Sequence, residues 1–222
     1  MDVQIVPAAS DEGRERAAVI AAEVLADGGL VVHPTETVYG IGGDGSPLNN
    51  RLIARVKRRE PGQPLLLLVP DLEVLHASFP ALEWPEKADR LAASFWPGPL
   101  TIVARCPGSP DGLRGPGDGL AVRISPDPTV AKLLAVWRRP LTSSSSNLAG
   151  HQPPRTLENA LEVLSRRDDL EDIERPVVAL DAGTTRGRRP STIVSFVEST
   201  PRLLREGPVS RQELQARLPD LV

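Results

Sequence analysis

Short, uninterrupted apolar runs that stop at proline or glycine constrain this chain more than any other feature. LVVHP (30–34), PLLLLVP (64–70), PLTIVAR (99–105) and PVVALDAG (176–183) are too brief for helices. They also lack the strict apolar–polar alternation of a half-exposed strand. Runs of this kind read as strands covered on both faces. GLAVRIS (119–125), RPLTSSSS (139–146), STIVSF (191–196) and PRLLREG (201–207) add further strand-like segments.

Helical patterns separate them. SDEGRERAAVIAAEVLADGG (10–29) has Ser10 as a candidate N-cap, Asp11 and Glu12 at the positive end of the dipole, and Gly28-Gly29 as a stop. PLNNRLIARVKRRE (47–60) places Leu52, Ile53 and Val56 on one side, and its basic end suits a helix C-terminus. WPEKADRLAASF, DPTVAKLLAVW, TLENALEVLSRR and VSRQELQARL read as further helices. Strands and helices mix throughout, with no linker-like shift in composition and no internal repeat. The expected fold is a single α/β domain, 1–222 with its core at about 10–215, built on a twisted mixed sheet flanked by helices.

Composition narrows the setting. Aromatics are only 3% of the chain, so the core must come from Val, Leu, Ile and Ala. The net charge of −3 supplies no global basic field for nucleic acid. Two local clusters stand out: Arg51, Arg55, Lys57, Arg58 and Arg59, then Arg186, Arg188 and Arg189. Each reads either as a solvated surface or as part of an anion site. Cys106 is the lone cysteine, which excludes an internal disulfide and fits a reducing compartment. The opening MDVQIVPAASDEG resembles no signal peptide, and LLLLVP is too short to span a bilayer. A cytoplasmic protein is expected.

Familiar catalytic patterns are missing. There is no phosphate loop of the G-x-x-x-x-G-K-[ST] type and no G-x-G-x-x-G after a strand. His33, His76 and His151 lack metal-ligand spacing, and no G-x-S-x-G elbow supports a serine triad. What remains is a set of polar segments at strand ends. HPTETVYGIGGDG brings Thr35, Thr37 and Tyr39 just ahead of glycines that allow close backbone approach. Arg123 sits inside an apolar strand, where it needs a bound anion or an internal carboxylate as partner. Four consecutive serines, Ser143–Ser146, would read in isolation as a flexible connection.

Taken in order, PTETVYG, WPGPLT, AVRI, STIV and LLREG resemble the YrdC/Sua5 family, the L-threonylcarbamoyladenylate synthases that begin t6A modification of tRNA. Lys57, Arg59, Ser145 and Asn147 match that family's K-x-R…S-x-N set, so the serine run becomes a site strand and its following turn. The resemblance implies a concave basic pocket in which L-threonine, bicarbonate and ATP become threonylcarbamoyl-AMP and pyrophosphate. It implies threonine contacts at Thr37, Arg123, Ser143 and Ser191. ATP contacts follow at Lys57, Arg59, Gln63, Ser145, Asn147 and Arg205, with Lys57 and Arg59 catalytic. Mg²⁺ is expected on the ATP phosphates, with no protein metal ligand assigned. A downstream threonylcarbamoyl transferase, and RNA or tRNA, are the implied partners, with no membrane. The chain is expected to be the short form, without the extra C-terminal domain of the longer Sua5 proteins.

Several positions depart from the family pattern. Leu68 stands where a histidine is usual, Gly119 where a threonine or serine is expected, Pro153 where a serine is common, and Pro190 where an acidic residue precedes STIV. Gln63 replaces a Lys or Asn, and Ser144 replaces a proline. Each loss of a polar contact is worth about 0.5–1.5 kcal/mol if nothing replaces it. The departures leave two further readings open: a diverged RNA- or nucleotide-binding module without the activity, and a carbamoyl-transfer relative acting on another amine.

Overall fold

The computed structural model describes residues 3–59, 63–148, 150–165, 175–187 and 189–222. Glu60, Arg166, Arg167 and Arg188, which figure in the expected helices and basic clusters, lie outside the described residues.

Local chemistry sets the element boundaries. The Ser10 hydroxyl accepts from the Gly13 amide and caps α1 (Asp11–Ala26). Gly28, at φ 71°, turns the chain into β2 (Leu30–His33). Ser46 caps α2 (Pro47–Lys57), and Arg58 ends that helix in the left-handed region. Asp127 caps α5 (Pro128–Trp137) through the Thr129 and Val130 amides. The remaining helices are α3 (Leu72–Ser78), α4 (Glu86–Phe95), α6 (Leu157–Ser165) and α7 (Arg211–Gln215).

The strands are β1 (Val3–Pro7), β2, β3 (Gly40–Gly42), β4 (Leu66–Leu68), β5 (Leu100–Arg105), β6 (Gly119–Arg123), β7 (Leu141–Ser145), β8 (Val177–Asp181), β9 (Thr192–Ser195) and β10 (Arg202–Arg205). They form one mixed sheet in the order β1-β8-β2-β3-β7-β4-β6-β5-β9-β10. β8 runs between β1 and β2, parallel to both. β7 joins the two halves, antiparallel to β3 on one side and β4 on the other. β1, β3 and α3 were not separately legible in the sequence, because each is short and flanked by turn residues.

Strand alternation divides the core. Val32, Ile41, Leu67 and Val122 pack on one face against Ile53 and Val56 of α2, Leu75 of α3 and Ala160 of α6. Farther along that face, Ile102 and Val194 meet Ala88 and Leu91 of α4 and Leu214 of α7. On the opposite face Val31, Leu68, Leu141 and Val178 lie under Ala17, Ala21 and Leu25 of α1 and Leu133 of α5. Leu66, Ala121, Val103 and Ile193 continue this second face but line an open cavity. Burying such apolar surface is worth roughly 25 cal/mol per Å², so a sheet face left open marks a place kept for a ligand. The sequence reading of strands covered on both faces therefore holds for one half of the sheet and fails over β4, β6, β5 and β9. Among the described residues no helix is long and apolar enough to cross a membrane.

Candidate active site

The cavity over the uncovered half-sheet has a volume of about 630 Å³. Three segments singled out in the sequence contribute to its walls, with further lining from the stretch that leads into β6 and from β9 and β10.

PTETVYG connects β2 to β3. The Thr35 hydroxyl donates to the Val38 carbonyl at 2.8 Å and accepts from the Thr37 and Val38 amides. Its single proton is thereby used, so the Thr37 hydroxyl donates to Thr35 Oγ1 at 2.8 Å and turns its lone pairs elsewhere. Arg123 Nη1 and Nη2 lie 3.4 and 3.5 Å from that Thr37 oxygen. Tyr39 is structural: its hydroxyl donates to the Gly183 carbonyl at 2.8 Å and accepts from the Ala182 amide. Burial pushes the Tyr39 phenol up to about 12. His33, fully buried at the end of β2, bonds the Pro34 carbonyl through Nδ1, and burial drives its pKa down to about 4. It is a neutral side chain at physiological pH.

WPGPLT leads into β5 and supports Arg123 from the other side. The Gly98 carbonyl accepts from Arg123 Nε at 3.1 Å, and the Gly98 amide donates to Ile124. A Cβ at Gly98 would lie 2.1 Å from the Phe95 carbonyl oxygen, so only glycine fits. The Thr101 hydroxyl is 2.8 Å from the Ser191 hydroxyl. Arg205, from β10, donates twice to the Ser191 carbonyl, at 2.9 Å from Nε and 2.8 Å from Nη2.

The serine run supplies the third wall. Ser143, Ser144 and Ser145 all border the cavity, whereas Ser146 is buried and donates to the Ala160 carbonyl of α6. Arg59 Nη1 donates to Ser144 Oγ at 2.8 Å, and Nη2 reaches the Pro64 carbonyl at 3.0 Å. Lys57 turns behind β7, where its ammonium donates to the Ser145 carbonyl and, at 2.6 Å, to the Asn147 carbonyl. Burial, with the nearby Arg59 charge second, lowers Lys57 to about 7.

Of the residues expected at a site, Thr37, Arg59, Arg123, Ser143, Ser145, Ser191 and Arg205 line this one cavity. Lys57, Gln63 and Asn147 do not. The exposed Gln63 accepts from Arg59 Nη2 through its backbone carbonyl at 3.3 Å. Asn147 faces a second cavity of about 650 Å³ beside His151 and Arg155, and its amide nitrogen bonds the Leu148 and His151 carbonyls. Sequence reasoning missed Thr101 and Glu36, although both sit inside quoted motifs. It also read Ser144 only as a lost proline. Arg123 has an internal carboxylate after all: Nη2 pairs with Glu36 Oε1.

The structure also explains two departures. At Gly119 a Cβ would meet Val103 Cγ1 at 2.9 Å and Val197 Cγ2 at 3.1 Å, so a branched side chain does not fit between these valines. Leu68 is fully buried under α1 and α5, where an imidazole would need a partner that its apolar neighbours do not offer.

Chemically, the cavity offers guanidinium groups from Arg59, Arg123 and Arg205, a row of hydroxyls, and an apolar floor. That suits a ligand with several anionic groups and a flat apolar portion.

The chain is also similar to proteins of known family. Residues 23–207 match the Sua5/YciO/YrdC family model, described as telomere recombination. The threonylcarbamoyl-AMP synthase of Pyrococcus abyssi is 34% identical over 198 residues, covering 88% of this chain and 55% of that protein. The threonylcarbamoyl-AMP synthase of Methylococcus capsulatus is 40% identical over 141 residues, covering 62% of this chain and 74% of that protein. The structure of P. abyssi Sua5 complexed with L-threonine superposes with a TM-score of 0.83 at 29% identity, covering 100% of this chain and 63% of the other. The chain thus spans a little over half the length of the Pyrococcus relative.

Proposed function

The chain belongs to the Sua5/YciO/YrdC family, and from that premise we propose that it is a threonylcarbamoyl-AMP synthase, a nucleotidyltransferase acting on L-threonine, bicarbonate and ATP. The observation that carries the reading is the convergence of Arg59, Arg123 and Arg205 with Thr37, Ser143 and Ser191 on one cavity.

In this reading the amino-acid half lies around Arg123. Its guanidinium meets the threonine carboxylate, and the hydroxyls of Thr37, Ser143 and Ser191 orient the rest of the molecule. The nucleotide half lies around Arg59, Ser145 and Arg205. Lys57, Gln63 and Asn147, expected to touch ATP, stand outside the cavity lining. Lys57 supports the β7 end that presents Ser145, and Asn147 fixes the turn after it.

The reaction needs positioning and charge compensation, not a protein nucleophile. The threonine amine condenses with bicarbonate to a carbamate, releasing water. A carbamate oxygen then attacks the α-phosphorus, and the bond to pyrophosphate breaks. Arg59 and Arg205 stabilise the charge that develops on the phosphoryl oxygens. Mg²⁺ enters as part of the nucleotide substrate. Among the described residues Glu198 is the one carboxylate along the cavity wall, and it is paired with Arg202, so the triphosphate is the natural source of most magnesium ligands. The product would pass in the cytoplasm to a transferase acting on tRNA.

The test is pyrophosphate release by purified protein with Mg-ATP. Release that requires both threonine and bicarbonate, each omitted and restored, supports the reading. No release with all substrates present refutes it. Salt-dependent RNA binding without adenylate formation would favour the binding-module alternative. Turnover with an amine other than threonine would favour the carbamoyl-transfer relative.

A further inference from the structure

Arg123 reaches the cavity only through a fixed setting. Its side chain is 4% exposed, and that of its ion-pair partner Glu36 is 21% exposed. Glu36 is itself held at three points. Oε1 takes Arg123 Nη2, Oε2 accepts from the Ser125 hydroxyl at 2.7 Å, and the backbone carbonyl accepts from the Gly187 amide at 3.0 Å. Ser125 is buried and also accepts from the Asp127 amide, which ties the network to the start of α5.

Glu36 is absent from the cavity lining although its neighbours Thr35 and Thr37 are part of it. It stands behind Arg123 and not beside a ligand. A guanidinium has five N–H donors in a rigid plane. With Nε on the Gly98 carbonyl and Nη2 on Glu36, two edges of that plane are fixed by the protein. Nη1 has no carbonyl or carboxylate partner among the described residues and only the long 3.4 Å approach to Thr37 Oγ1, so it is the nitrogen with donors to spare where Arg123 borders the cavity.

We propose that Glu36 is a positioning residue for the amino-acid half of the site: it sets the plane of the Arg123 guanidinium so that its Nη1 edge receives a substrate carboxylate. The inference rests on the reading of Arg123 as the carboxylate's partner. Glu36 touches no substrate. Its carboxylate also partly neutralises Arg123, so the site gains aim at some cost in attraction. That trade separates two outcomes. A positioning Glu36 makes carboxylate binding tighter, whereas a competing Glu36 makes it weaker.

The experiment compares wild type with Glu36→Gln, which keeps side-chain volume and an acceptor oxygen while removing the charge. Affinities for L-threonine and for L-threoninamide, which lacks the carboxylate, are measured by titration calorimetry, with thermal melts as a control. Wild type should prefer threonine. In Glu36→Gln the threonine affinity should fall by about ten-fold or more, the scale of one charge-assisted hydrogen bond. The threoninamide affinity should stay within about two-fold, inside the context-dependence of such contacts. Ser125→Ala, which removes only the hydroxyl holding Oε2, should narrow the same preference by a smaller factor. Equal losses for both ligands would mean a merely structural role and overturn the proposal, as would tighter threonine binding. A wild-type protein that binds threonine and threoninamide equally would remove the reading of Arg123 itself, and this inference with it.

Discussion

Lys57 offers a direct measurement of what the β7 end requires. Only 3% of this residue is exposed, yet among the described residues its ammonium has two carbonyls as partners and no carboxylate. Desolvation therefore dominates, and the group drops from its ordinary 10.5 to about 7. In the unfolded chain Lys57 keeps its proton up to about pH 10.4, so between these values the unfolded state binds more protons. Wild-type stability must then rise with pH across that window, because the penalty for burying the charged form is full below about 7 and relieved above it. Each pH unit inside the window is worth ~1.4 kcal/mol. Lys57→Met removes the titrating group with little change in volume. The stability of wild type minus that of Lys57→Met, from urea unfolding, should therefore increase by about 3 kcal/mol between pH 6.5 and 9.5. Other titrating groups cancel in the difference. A difference constant to within about 1 kcal/mol over that range would refute the assigned burial cost. Turnover by Lys57→Met should also fall sharply, because the carbonyls that fix Ser145 and Asn147 lose their shared donor.

Other outcomes follow from single contacts. Arg59→Ala should leave the fold intact but reduce pyrophosphate release by about a hundred-fold or more, the range seen when one transition-state donor is removed. Gly187→Ala would bring a Cβ to 2.5 Å from Thr37 Cα and 2.7 Å from the Glu36 carbonyl oxygen. The backbone cannot yield cheaply there, so its melting temperature should fall and its KM for threonine should rise. Gly119→Thr should destabilise by about 1–3 kcal/mol through overpacking, with Val103→Ala in the same chain recovering part of the loss in a denaturant titration.

The motifs made most of the site legible, because chemistry at strand ends is written in contiguous residues. PTETVYG contains both Thr37 and the Thr35 hydroxyl that orients it, and WPGPLT contains Gly98 and Thr101. Pairings across the chain were less accessible. Arg59 meets Ser144 only because α2 ends beside β7, and nothing in a serine run tells which hydroxyl a distant arginine will find. Arg123 was recognised as needing an anion or a carboxylate, but only the folded chain shows that the partner is Glu36, in the β2–β3 connection that no ladder joins to β6. Lys57 and Asn147 show the reverse limit. The family resemblance implied ATP contacts for them, whereas the fold directs the Lys57 ammonium to the Ser145 and Asn147 carbonyls and sets Asn147 beside the second cavity. The apolar runs likewise gave the strands but not their coverage. Leu66 and Leu68 belong to the same run, yet one lines the cavity and the other is sealed under α1 and α5.

The position of β8 has a consequence for biosynthesis. The first two strands leave the ribosome early, but the sheet keeps them apart, and the strand that belongs between them is Val177–Asp181. Until it arrives, β1 and β2 have open parallel edges that no nearby segment can close. Pairings of such long sequence separation form slowly and leave those edges available to other chains in the meantime. A nascent chain stopped before Val177 is therefore expected to be an aggregation-prone fragment lacking the strand that joins β1 to β2, and not a smaller stable domain.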